Sequence, residues 1–203
     1  MDIVKILIKM IKFCITPRGL LLLVGMILLV GKILFHKDYL NCTGIIKMHL
    51  NCFENREGKL SKVSLFLYFG VPLLIAFSLI QIRALDDTVV NLLTVIVSIL
   101  TSLFFTLLTL ILDMRKKVRE DKNYNANDAA LSSKLLEETY FTIMFEILVS
   151  VIILIMCFVE LFAQMYSIFS SLIIYYLIFV LLINLFMILK RVYAVIRADI
   201  ETN

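Results

Sequence analysis

Three sets of residues have the types and spacing that chemistry would need. The first runs through residues 91–112, NLLTVIVSILTSLFFTLLTLIL. Wound at about 100° per residue, it puts Asn91, Thr94, Ser98, Thr101, Ser102, Thr106 and Thr109 inside an arc of roughly 140°. The opposite side holds only Leu, Ile, Val and Phe, so the stripe is expected to face other helices or water while the rest faces lipid. The second set lies in residues 141–164, where Thr142, Glu146, Ser150, Cys157, Glu160 and Gln164 share one face. Carboxyl groups there point to an ion or proton path, or to interfacial contacts, since Glu146 and Glu160 each lie near an end of the segment. The shared polar face predicts that this segment packs on the hydroxyl stripe. The third set, His36, Cys42, His49 and Cys52, could supply four zinc ligands, but its spacing does not match paired knuckles and reads as ordinary loop residues. Cys42 and Cys52 could pair as a disulfide only outside the cytoplasm.

Enzymatic signatures are missing from the sequence. It carries no glycine-rich phosphate loop, no H-E-x-x-H and no Ser or Cys nucleophile with a His partner in a recognisable setting. Asp86 and Asp87 lack the longer acidic and glycine pattern of membrane-bound phosphotransferases. The chain is therefore expected to be no enzyme, with no catalytic residue, cofactor or metal. Nor does it show the internal repeat with paired broken helices that marks transporters.

These residues must be held by membrane-spanning elements. With 62% hydrophobic residues among 203 and a mean hydropathy of +1.00, so small a chain cannot hide its apolar surface by folding alone, and lipid must cover it. The net charge of +4 comes from basic residues beside apolar runs, which reads as membrane topology rather than nucleic-acid binding. No cleavable signal is expected, because Lys32 interrupts the first apolar run and no A-x-A site follows.

In chain order, residues 2–15 place Lys5, Lys9 and Lys12 along one side among Ile, Leu, Met and Phe, the pattern of a basic helix on an anionic membrane face or of a positive flank to the next segment. Residues 19–35 are apolar but short, and either span or re-enter. Alternation of Ile46, Met48, Leu50 and Cys52 with polar residues, and a turn at 55–58, predict a small β-hairpin within residues 37–62. Residues 63–82 form a span that Gly70 and Pro72 should kink. An acidic turn at 83–87 leads into the central helix, and 113–140 read as a cytoplasmic helical connector that reverses near 123–128. Residues 141–164 and 167–189 are the remaining spans, with Asn184 the lone strongly polar member of the last.

Basic residues near span ends prefer the cytoplasm. Arg115, Lys116, Lys117, Arg119, Lys122 and Lys134 in the connector, and Lys190, Arg191 and Arg197 in the tail, place both inside, with the Arg83 turn outside. The expected fold is an all-α polytopic membrane protein: a four-helix transmembrane bundle, an N-terminal amphipathic or re-entrant segment and a small β-hairpin insertion. Its divisions are 1–36, the hairpin-like loop 37–62, transmembrane helices 63–112, connector 113–140, transmembrane helices 141–189 and cytoplasmic tail 190–203.

In length, segment order, cytoplasmic ends and the connector MRKKVREDKNYNANDAALSSKLLEETY, the chain resembles the membrane subunit of the Kiwa anti-phage defence system of bacteria. That resemblance implies a bacterial inner-membrane, homo-oligomeric assembly, a tetramer in the family, that senses infection at the envelope and controls a soluble nucleic-acid-binding partner. Arg115, Lys116, Lys117 and Arg119 are the candidate docking residues, with no direct nucleic-acid contact expected. The alternative is a pore-forming effector, with the stripe lining water and Glu146 and Glu160 as acidic rings.

Overall fold

The computed structural model describes residues 26, 30, 41–53, 60–120, 126–162 and 166–202. The chain divides into two compact units, Met1–Asn41 and Cys42–Asn203. In the first, Met26, Val30 and Asn41 are described, all exposed and the first two helical. The basic helix expected over 2–15, and whether 19–35 spans, lie outside the described residues.

The second unit is helical throughout its described elements. Helix α1 is Thr43–Asn51, and α2, Lys62–Leu65, runs through a π turn at Phe66–Gly70 into α3, Val71–Ile82. Three long helices follow: α4 is Asp87–Glu120, α5 is Ala126–Glu160 and α6 is Ile168–Thr202. Four stretches, Lys62–Ile82, Asp87–Lys116, Ser133–Glu160 and Ile168–Ala194, are long and apolar enough to cross a membrane, so this is a multi-pass membrane protein.

Local chemistry sets the helix starts and breaks. Ser61 caps α2 by accepting the Ser64 N–H at 3.4 Å, and Asp86 caps α4 by accepting the Val89 N–H at 2.9 Å. That bond, with Arg83 alongside, holds the Asp86 carboxyl below its ordinary value. The irregularity expected at Gly70 and Pro72 takes the form of the π turn. Pro72 has no N–H to give, and the Val71 N–H reaches the Phe66 carbonyl five residues back. The Phe66 ring lies over Gly70, 2.7 Å from where a β-carbon would stand, so glycine makes room for it.

One strand of the expected hairpin is instead α1. Ile45, Ile46, His49, Leu50 and Phe53 recur at three- and four-residue spacing, so the seven residues that alternate also satisfy a helix, and burial of His49 and Phe53 decides in its favour. The turn expected at 55–58 lies outside the described residues, as does the reversal near residue 123.

Packing makes the spans a row rather than a ring. Helix α4 packs on α5, α5 on α6, and α6 on α3, while among the described residues α3 and α4 make no contact with each other. The seam is a repeat of seven. Val90, Val97, Phe104 and Ile111 of α4 are fully buried, as are Leu136, Ile143, Ser150 and Cys157 of α5; Ile174, Leu181 and Ile188 of α6 follow the same spacing. Such a repeat lets long helices interdigitate side by side along their whole length.

The seam corrects the expected orientation of α4. Its buried line lies roughly 120° round the helix from the centre of the hydroxyl stripe, and it belongs to the side expected to face lipid. Asn91, Ser98, Ser102, Thr106 and Thr109 are exposed on this chain, and Thr94 and Thr101 are half-buried at the edge of the seam. Phe104→Ala should therefore cost about 3 kcal/mol in detergent unfolding, the scale of a large cavity. Thr106→Val should stay within about 0.5 kcal/mol, the scale of a surface change.

Candidate functional site: a polar ladder between two spans

Residues four apart on a helix stand in a slowly turning line, and α5 carries Glu138, Thr142, Glu146 and Ser150 in such a line. Helix α6 answers with Asn184 and Arg191, seven residues apart and so on one face. The two meet as a ladder between the most buried of the described spans.

The outer rung is ionic. Arg191 pairs with the Glu138 carboxylate at 3.3 Å. Its Nη1 also donates to the Glu138 carbonyl at 3.0 Å and to the Thr142 hydroxyl at 2.7 Å. The Thr142 hydroxyl in turn donates to the Glu138 carbonyl at 2.8 Å. A planar guanidinium with several donors suits this use, since it can hold a carboxylate, a carbonyl and a hydroxyl at once.

Helix α1 packs against this end. The Cys52 thiol donates to the Met48 carbonyl at 3.3 Å and lies 3.7 Å from the Glu138 carbonyl. One turn earlier the His49 ring stacks on Phe145, centroids 4.0 Å apart and planes at 4°, with Phe53 and Phe69 edge-on. Neither ring nitrogen has a hydrogen-bond partner, and the side chain is fully buried. Burial, with the Arg191 charge adding to it, pushes the imidazole down to about 3. Burial also pushes the Cys52 thiol up, against the influence of Arg191.

The inner rung is sealed from solvent. Asn184 Nδ2 donates to Glu146 Oε1 at 2.8 Å, and both side chains are fully buried. Glu146 Oε2, Asn184 Oδ1 and Ser150 Oγ are buried without a partner. A polar bond across two helices in such a setting joins them, because separating the groups in hydrocarbon leaves both unsatisfied. Glu146 therefore pairs with the last span, and the expectation that its face packs on the hydroxyl stripe is corrected. One contact of the expected kind does form, where Thr94 meets Cys157. Glu160, at the far end of α5, is also buried.

The stripe itself is satisfied within α4. Thr94 donates to the Val90 carbonyl at 2.8 Å, Ser98 to Thr94 at 2.7 Å, Thr101 to Val97 at 2.7 Å, Thr106 to Ser102 at 3.1 Å and Thr109 to Thr106 at 2.7 Å. These five hydroxyls fold back on carbonyls of their own helix, a bond that needs neither water nor a neighbour. At the basic end Arg115 stands 4.0 Å from Glu137 of α5 and Lys116 is exposed, with Lys117 and Arg119 further along the same helix. Among the described residues no three His, Cys, Asp or Glu side chains gather as metal ligands, and Cys42 and Cys52 are free thiols. His36 lies outside the described residues.

Sequence reasoning did not assign roles to Glu138, Arg191 or His49 at this site. The signal that would have found the first two is the seven-residue step from Asn184 to Arg191, set against the four-residue steps of α5. Compared with known proteins, the chain matches no family model, no curated protein and no solved structure.

Two outcomes follow from this geometry. Asn184→Leu should destabilise the protein in detergent unfolding by about 1–2 kcal/mol, since it strips the buried carboxyl of its partner, whereas Asn184→Gln should recover part of the loss. For His49, the unfolded chain takes up a proton near 6.5 and the folded chain only at about 3. The unfolded state thus binds more protons between these values, and stability falls as pH drops below about 6.5, by at most about 1.4 kcal/mol per unit. Arg191 adds its charge to the effect of burial on His49, and Cys52 and Glu138 meet beside it at the same outer rung. Thermal midpoints read from about pH 7 to about pH 5.5, above the range where exposed carboxylates titrate, should fall for the wild type and stay flatter for His49→Phe.

Proposed function

We propose that this chain is the membrane anchor and sensing subunit of an anti-phage defence complex in a bacterial inner membrane. In this reading it responds to infection at the envelope and controls a soluble, nucleic-acid-binding partner through its cytoplasmic hairpin. The reading follows the resemblance to the Kiwa membrane subunit. The observation that carries it furthest is the length of α4 and α5. At 34 and 35 residues each measures about 50 Å along its axis, against roughly 30 Å of hydrocarbon. Helices this long would carry the end of α4, with Arg115, Lys116, Lys117 and Arg119, and the start of α5 past the bilayer, a shape suited to docking a protein.

Charge supports the side. Lys62, Arg115, Lys116, Lys134, Lys190 and Arg191 lie at or near span ends on one face, while Asp86, Asp87 and Glu160 lie at the other beside a single arginine, Arg83. The basic face is the cytoplasmic one by the usual bias. Hydroxyls bonded within α4 and Glu146 buried against Asn184 of α6 favour the anchor over a pore, because a water-lined path needs its polar groups turned to the lumen.

The test is affinity capture of the tagged chain, in mild detergent, from cells carrying its native gene neighbourhood. A soluble partner should come down in stoichiometric amount and be lost when Arg115, Lys116, Lys117 and Arg119 are all changed to Glu. Capture of the chain alone, with ion leakage that Thr101→Leu with Ser102→Leu abolishes, would establish the pore instead.

A further inference from the structure

At the basic end of the spans, four chain segments leave a pocket of about 340 Å³ between them, the fourth being the end of α1 at Cys52 and Phe53. Its polar wall is Ser64, Tyr68, Lys190 and Arg191, and its apolar wall includes Leu135 and Met187. The size falls within the roughly 300–1,000 Å³ of ordinary small-molecule sites.

The charges in this pocket are unequal in freedom. Arg191 is committed to Glu138 and Thr142. Lys190, one residue earlier, is exposed and makes no ion pair among the described residues. Glu138 offsets Arg191, which leaves the Lys190 ammonium as the uncompensated charge at the mouth. The ligand that fits must therefore bring an anion to Lys190.

Depth defines the rest of the ligand. The pocket opens where the span Lys62–Ile82 begins, where Ser133–Glu160 begins and where Ile168–Ala194 ends, and these three ends lie on the same membrane face. Along α6 the lining passes from Ala194 through Lys190 and Arg191 to Met187, that is, from the water side through the charges to an apolar floor. On the first span it passes from the Ser64 hydroxyl to Tyr68, an aromatic with a polar tip of the kind that sits at headgroup level. A cation above, hydroxyls beside it and an apolar floor below match a phosphodiester carried on an acyl glycerol. Small soluble anions would leave the floor unused.

We infer that the pocket between Lys190, Ser64 and Tyr68 is a binding site for the phosphodiester headgroup of an anionic glycerophospholipid in the cytoplasmic leaflet. The ammonium of Lys190 meets the phosphate, and Tyr68 offers its hydroxyl to the headgroup. Ser64 does so by turning its hydroxyl away from Ser61, to which it donates at 3.1 Å, and the first carbons of the acyl chains lie on Leu135 and Met187. A lipid held there touches α5, α6 and the first span together. It ties the flanking span to the central pair on the face where the ladder ends.

Native mass spectrometry of the full-length protein, released from a detergent free of lipid, tests this with three probes: phosphatidylglycerol, phosphatidylcholine and glycerol 3-phosphate. Phosphatidylglycerol should bind more tightly than phosphatidylcholine, and Lys190→Gln should weaken it about fivefold, the scale of one basic residue at an anionic surface. Lys134→Gln, which removes an exposed lysine of the same face outside the pocket, should change its affinity by less than about twofold. Ser64→Ala gives a second, milder loss should Lys190→Gln fold poorly. Equal binding of the two lipids, an unchanged affinity in Lys190→Gln, or an equal loss in Lys134→Gln would overturn the site. Glycerol 3-phosphate binding as tightly as the lipid, with the same dependence on Lys190, would assign the pocket to a soluble phosphate and overturn the lipid.

Discussion

Hydrocarbon offers no hydrogen bonds, so every polar group carried into it must be satisfied by the protein itself. The rest of this structure can be understood from that constraint. It is met in two different ways, and incompletely at the inner rung, where Glu146 Oε2, Asn184 Oδ1 and Ser150 Oγ stay unpaired. Along α4, five hydroxyls spaced at helical intervals bend back onto carbonyls one turn earlier, which lowers the polarity of the helix surface. Between α5 and α6, groups too large or too charged to satisfy themselves find partners on the other helix: Glu146 with Asn184 and Glu138 with Arg191.

The two solutions sort the helices. A helix whose polar groups need a neighbour must sit where it has neighbours on more than one side, and α5 and α6 form the centre of the row. Helices that are self-sufficient can flank, as α4 does on one side through its seven-residue seam and the first span does on the other. The short helix α1, which is not itself a span, follows the same logic. His49 and Cys52 carry it onto the outer rung, where an unbonded imidazole is held among three phenyl rings. That histidine stays neutral because no partner is there to stabilise a charge.

The spans were legible in the sequence because twenty or so apolar residues have few alternatives in a small chain. So was the turn at Asp86, where an acid caps a helix in a familiar way. The orientation of α4 was not legible. Serine and threonine look polar in a sequence but can hide their polarity in their own helix, and the side that packs is chosen by the fit of Val90, Val97, Phe104 and Ile111. The hairpin reading failed at α1 because Ile46 to Cys52 alternates over too few residues to exclude a period of 3.6, and His49 reads as outward in a strand and inward in a helix. Of the ladder, Asn184 stood out as a lone polar residue, yet its partner could not be chosen without knowing which face of α5 meets α6.

The account turns on whether the hydroxyl stripe of α4 is dry. Spin labels placed singly at residues 98, 101, 102 and 106, in full-length protein with its four cysteines replaced and reconstituted in lipid, report collision with oxygen and with a water-soluble nickel chelate. A dry stripe that faces lipid or a packed neighbour predicts little collision with the chelate at all four positions, while a label at Lys116 collides with it readily. High chelate accessibility along residues 98–106 would mean a wet path through the membrane and would contradict the account.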